Sequence, residues 1–314
     1  MLTKFDSNFS HNATQDEMIQ YSLMLLKDQY IANISIIVLS IVNLLSALIL
    51  IVRFCRAIIS ARLSSSTLHQ IYLFKFLILL FSFDLFSSLF YICLSTFNLI
   101  GYVDQWNRVS APGPCFFKFV IFQMISVKTV TKFLAVIGVD RFLCKVFPHF
   151  YYERLDGRKY VLGMILKVTI VEISETIYSV FRRISTVNLI PLCSMSLAMH
   201  EDTVGKMFTG LLYVWSSGIY VAGFLILAIK KWQRQQITVN ASDDLWHLVL
   251  LIITLEWIMT HLINKYIDAA LPTNRGFNDL LKVHFSVFCL IIFTIFTPQF
   301  WRKSAKSETE KNVL

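Results

Sequence analysis

Charge is scarce in this chain. Asp, Glu, Lys and Arg make up 16% of its 314 residues, where a soluble domain carries roughly 25%. With 56% of the residues hydrophobic, that shortage excludes an ordinary water-soluble fold and places the chain in the membrane class. Catalytic signatures are missing too. There is no Cys-x-x-Cys, His-Glu-x-x-His, Gly-x-Ser-x-Gly or phosphate-binding loop, the spacings that metal sites, nucleophile elbows and nucleotide sites require. The seven histidines are scattered over loops and helix ends, so we expect no enzyme, no metal and no cofactor. The net charge of +9 does not imply nucleic acid, because the basic residues are not clustered with aromatics on a polar segment. No basic stretch leads into a short apolar core at the amino end, as a cleaved signal would. The first apolar run is therefore expected to stay as an anchor. No repeat and no long linker divides the chain.

What is present is a series of seven apolar stretches, each long enough for a ~30 Å hydrocarbon core: about 30–52, 71–100, 114–139, 160–181, 207–229, 245–263 and 282–300. We read them as an all-α, seven-transmembrane-helix domain over 30–300, preceded by an extracellular segment at 1–29 and followed by a cytoplasmic tail at 301–314. The fourth is the weakest, interrupted by Lys167, Glu172 and Glu175; the sixth and seventh are the shortest. With the amino terminus outside, 15 Lys and Arg fall on inner segments and 8 on outer ones, the bias that the positive-inside rule demands. The sequons at Asn8 and Asn12 then face the glycosylating side.

Cysteine usage agrees with this layout. Cys55 and Cys144 fall on the reducing side, Cys93 and Cys289 inside spans, and Cys115 and Cys193 on the outer side. Disulfides persist in the oxidising compartment, so Cys115 and Cys193 are the natural pair, with two free thiols as the alternative. Ionisable residues at membrane depth are costly and usually face a partner. Asp84 lies midway along the second span, with Asn43 of the first as a candidate partner. Lys128 and Lys132 lie on one face of the third helix and can neutralise Glu172 and Glu175 of the fourth, or line a ligand or ion path. Glu256 lies in the sixth.

Asp140-Arg141-Phe142 closes the third stretch. Arg141 lies 26 residues after Cys115, about 39 Å along a helix, which puts the two at opposite membrane faces. An arginine cannot lose its charge. Beside Asp140 it can be held in one state and released in another. Pro148 is expected to end the helix.

With Asn43, Asp84, Trp106, Cys115, the Asp140-Arg141-Phe142 triplet, Pro148, Cys193 and Pro298 in place, the chain resembles rhodopsin-like seven-helix receptors coupled to G proteins. The short third inner loop and Phe richness look like the nematode serpentine chemoreceptors. The resemblance implies a switch and G-protein contact at Asp140, Arg141, Phe142, Lys145 and Pro148. It also implies a Cys115–Cys193 disulfide and an ion or water site at Asp84 with Asn43. The chain departs from the family in the fourth span, which lacks the usual tryptophan, and in the sixth, which offers Glu256-Trp257 without the usual proline. The seventh reads Thr297-Pro298 in place of Asn-Pro. The function implied is an olfactory-type chemosensory receptor in the plasma membrane. It would take a small extracellular ligand in a pocket drawn from Phe122, Gln123, Tyr213, Trp257, His261 and His284, and activate a heterotrimeric G protein. Its other partner is membrane lipid. The rival is a transporter or channel using the intramembrane Lys and Glu residues.

Overall fold

The computed structural model describes residues 30–63, 68–103, 121–153, 157–184, 241–270 and 283–297, with 218, 222, 223 and 225 in addition. Every element among them is helical: α1 (Tyr30–Leu63), α2 (Leu68–Val103), α3 (Ile121–Val146), the short α4 (Pro148–Glu153), α5 (Gly157–Ile184), α6 (Ala241–Ala270) and α7 (Phe285–Phe296). Apart from α4, these coincide with the first four, the sixth and the seventh apolar stretches. Of the fifth, only four helical positions are described.

The helices overrun the apolar stretches. α1 continues past Val52 to Leu63, α3 past Val139 to Val146, and α6, expected among the shortest, is 30 residues long. A helix satisfies its own backbone groups, so it need not stop where the hydrocarbon does. Long basic side chains such as Arg53 and Arg56 can carry it to the interface. α7 is the exception and begins only at Phe285.

The third helix is interrupted just ahead of Pro148, as the sequence predicts, and the proline also starts a new helix. α3 has already ended at Val146, and Pro148 opens α4. At a first helical position the missing N–H would be unbonded anyway, so proline fits there. The Phe147 N–H still reaches the Leu143 carbonyl at 3.0 Å, and Tyr151 N–H reaches Phe147 at 2.9 Å. The chain thus turns into α4 without losing the ladder on either side.

Burial is inverted relative to a soluble protein. On α1 the inward residues are Asn33, Ile36, Ser40, Asn43, Ala47, Leu50 and Phe54, recurring at alternating spacings of three and four, while Val38, Ile41, Val42, Leu45, Ile49 and Val52 face out. On α5 the outer face carries Leu162, Leu166, Ile170 and Ile173. An exterior of branched apolar side chains over a partly polar interior is what lipid solvent selects. Hydrocarbon accepts those side chains at no cost, and small or polar residues draw helices together. α1 over Tyr30–Ile59 and α2 over Gln70–Ile100 are long and apolar enough to cross a bilayer.

α1 packs along α2, α2 against α3, and α3 against α5 and α6, while α7 closes onto α1, α2 and α6. An aromatic cluster unites four of them. Phe54 of α1 stacks on Phe81 of α2 at 6.0 Å and meets Phe293 of α7 at 5.4 Å; Trp246 of α6 lies 5.7 Å from both Phe74 and Phe293. Phe54→Ala should therefore lower stability by about 3–5 kcal/mol, read as an earlier thermal unfolding midpoint in detergent. Leu45→Ala, on a side chain 52% exposed, should leave the midpoint nearly unchanged.

Candidate functional site

Two buried polar nodes lie at different heights in the bundle, with a tryptophan contact beside the first. The first joins α1, α2 and α7. The Asn43 amide nitrogen donates to Asp84 Oδ2 at 2.8 Å and to Ser88 Oγ at 2.9 Å. Its oxygen accepts the backbone N–H groups of Ser286 at 2.8 Å and Val287 at 3.2 Å. The Ser286 hydroxyl donates to the same Asp84 oxygen. This arrangement answers a local need of α7. Its N-cap residue, His284, makes no side-chain cap bond, and the first N–H groups of a helix need acceptors. Asn43 supplies one from another helix, and the Asp84 carboxylate stands where the helix dipole favours negative charge.

The second node lies at the far end of α3. Arg141 donates to Asp140 Oδ2, through Nε at 2.9 Å and through Nη2 as well. The other carboxylate oxygen accepts the Tyr151 hydroxyl at 2.7 Å. Asp140, Arg141, Cys144 and Tyr151 are all buried. Burial first, then the nearby Asp140 charge, pushes the Tyr151 phenol above its ordinary pKa, so the hydroxyl remains a donor at neutral pH. The six residues of α4 place Tyr151 here, with its ring 6.2 Å from Tyr160 of α5. Phe142 packs edge-on against Phe147 at 6.4 Å, and Phe147, His149 and Phe150 are exposed beside this node.

Beside the first node, Trp257 of α6 donates its indole N–H to Thr131 of α3 at 3.0 Å and meets Phe285 of α7 edge-on at 4.7 Å. It is 3% exposed. Thr131 precedes Arg141 by ten residues, so this contact lies about 15 Å up the axis from the arginine. Next to it, His284 Nε2 lies 2.5 Å from Glu256 Oε1, which also accepts from Thr260 at 2.9 Å. On the α3–α5 side, Lys132 pairs with Glu172 and, at 3.1 Å, with Glu175; Lys128 lies 3.6 Å from Glu175. These four charges neutralise one another across the helix contact, as one of the two sequence readings had them.

Of the site residues expected from sequence, the structure brings Asn43 to Asp84 and Asp140 to Arg141. Of the pocket candidates, Trp257 and His284 lie beside one another. Phe122 is half exposed and stacks on Phe90 at 5.0 Å, Trp257 is enclosed, and His284 bonds to Glu256. Asn8, Asn12, Cys115, Cys193 and Tyr213 lie outside the described residues, as do the side chains of Gln123, Lys145, Pro148 and His261. Tyr151, Ser88 and Ser286 were not singled out by sequence reasoning. A tyrosine three residues past Pro148 was the available signal for the first. The serines carried none, since their role depends on where α7 begins. Thr297 closes α7, its N–H on the Phe293 carbonyl at 2.9 Å; the partner of Asp84 on α7 is Ser286, at the other end of that helix.

The described residues thus form a helical bundle with a lipid-matched exterior, a partly polar interior and an acid–arginine pair at one end of α3. The family follows from comparison. The model of the serpentine type 7TM GPCR chemoreceptor Srsx matches residues 75–305, and the chain belongs to that family. It is a family of receptors and not of enzymes. A comparison with curated proteins returned no match. α1 precedes the matched segment and is tied to it through Asn43.

The Lys–Glu cluster yields a stability test. Lys132→Met alone leaves Glu172 buried without its cation and should cost about 3–5 kcal/mol. Adding Glu172→Leu should recover most of that loss, because replacing both members of a buried pair by apolar groups is nearly neutral. Thermal unfolding of the two variants in detergent checks this. A double variant as unstable as the single one contradicts the self-neutralising arrangement.

Proposed function

We propose that the chain is a plasma-membrane chemosensory receptor, amino terminus outside, that binds a small extracellular ligand and activates a heterotrimeric G protein at the face around Arg141. The observation that carries this reading is the buried Asp140–Arg141–Tyr151 node. Arg141 keeps its charge in any environment, yet it is spent here on its neighbour in sequence. The carboxylate that holds it is itself held by a residue of α4. Any movement that carries α4 or α3 away weakens that hold and frees the guanidinium for another acceptor. The exposed Phe147 and Phe150 supply an apolar docking edge beside it, and Lys145, Lys230, Lys231 and Arg234, assigned to inner segments by the charge bias, would add positive charge for the same partner.

The ligand would act from the opposite end. Trp257 touches α3 and α7 together, so a ligand that displaces it shifts the balance between two helix arrangements. Asp84 with Asn43 would hold an ion or water at the junction of α1, α2 and α7. The Cys115–Cys193 disulfide would tie the second outer loop to the third helix over the pocket, and Asn8 and Asn12 would carry glycans. The transporter or channel reading finds less support, because Lys128, Lys132, Glu172 and Glu175 are occupied with one another.

In cells carrying a G-protein reporter, Asp140→Asn should raise ligand-independent signalling several-fold, since losing a hydrogen bond to a charged group is worth about 1.5–3 kcal/mol. Tyr151→Phe should move the baseline in the same direction by less. Arg141→Ala should remove signalling at unchanged surface expression. A ligand-gated current that needs no G protein would sink the reading. Cys115→Ser and Cys193→Ser should each lower surface expression, and intact expression and response in both would remove the disulfide from it.

A further inference from the structure

Glu256 is an acid with one hand occupied. Its Oε1 lies 2.5 Å from His284 Nε2 and accepts the Thr260 hydroxyl at 2.9 Å. Its Oε2 is buried and has no hydrogen-bond partner among the described residues. A desolvated carboxylate oxygen left unmatched is costly. The pair is not sealed in. The His284 side chain keeps 31% of its surface and Glu256 15%, while Trp257, Phe285 and Ser286 around them are closed.

The charge balance points one way. His284 is close enough to Asp84 to interact with it electrostatically. Cys289 lies on the same side of α7 and interacts with both Glu256 and Asp84. The ammonium groups of Lys128 and Lys132 are engaged by Glu172 and Glu175. Among the described residues, two carboxylates, Asp84 and Glu256, therefore face one imidazole, that of His284, at this level of the bundle. A further anion is disfavoured there, whereas a cation that donates a hydrogen bond meets both the excess charge and the open oxygen.

We propose that Glu256, oriented by His284 and Thr260, is the recognition group for ligands carrying a protonated amine, with Oε2 as the acceptor. The apolar remainder of the ligand runs away from Arg141 toward the Phe90–Phe122 stack; Phe122 precedes Thr131 by nine residues, about 13 Å along α3. The inference rests on the receptor reading above and concerns only which ligands the receptor takes.

The test uses the full chain purified in detergent, with hexylamine and phenethylamine as probes and hexanol and phenethyl alcohol as their neutral counterparts. The amines should raise the wild-type unfolding temperature and the alcohols should not. Glu256→Gln should weaken the apparent amine affinity by about 10- to 100-fold, the worth of a hydrogen bond to a charged group. Glu256→Asp should keep the preference for amines. If Glu256→Gln does not fold, the wild-type comparison still decides. Equal stabilisation by amine and alcohol, no stabilisation by either amine, or an unchanged amine effect in a folded Glu256→Gln protein each overturns the proposal. An amine-specific shift with a silent G-protein reporter counts against coupling and leaves the amine site standing. Signalling to neutral ligands without any amine-specific shift removes the amine site and leaves the receptor.

Discussion

One side-chain amide holds three helices in register. Asn43 donates from its nitrogen to Asp84 and Ser88 and accepts through its oxygen from the first turn of α7. In hydrocarbon no water can satisfy the open end of a helix, so a helix that starts inside the bundle must find its acceptor there. α7 begins at Phe285 without a cap of its own, and Asn43 removes that liability. The position of Ser286 under Asp84, of Phe285 against Trp257, and of His284 beside Glu256 all follow from where this bond sets the start of α7.

The same solvent logic accounts for the rest of the interior. Lipid gives apolar side chains no reason to turn inward, so α1 and α5 leave theirs outside. Packing density and polar contacts must then bind the helices together. The aromatic cluster around Phe54 supplies the first, and the Asn43–Asp84 and Lys132–Glu172 contacts supply the second. Asn43, Asp84 and Lys132, which would be costly alone, are matched across helix boundaries. Glu256 and Glu172 each keep one buried carboxylate oxygen without a hydrogen-bond partner; Glu172 has the Lys132 ammonium on its other oxygen, whereas Glu256 has His284 and Thr260 there.

The receptor class rests on the family match, and the acid–arginine pair shows how local sequence and fold combine at one end of α3. The Asp140–Arg141 pair is adjacent in sequence and needs only a helix end to form. Its restraint by Tyr151 needs α4, whose start at Pro148 depends on α3 having ended first. The family match over residues 75–305 agrees with the resemblance carried by the triplet and the second-span acid. The departures in the sixth and seventh spans acquire a physical meaning in the fold. Glu256 bonds to the residue that precedes α7, and Thr297 finishes α7 one residue before Pro298.

Sequence alone determined the helical class, the placement of six of the seven apolar stretches on helices, and the pairing options open to Asp84 and the Lys–Glu set. Those properties are local or compositional. Hydrophobic length selects a span, and a buried charge demands a partner whatever the fold. Helix ends were less legible, because backbone bonding continues past the apolar residues that mark a span. Only the tertiary structure decided that Ser286 meets Asp84, that Tyr151 restrains Asp140, and that His284 and Thr260 crowd one oxygen of Glu256. Each of these depends on the relative height of two helices. That height is set by packing among residues far apart in the chain, which no local pattern of sequence encodes.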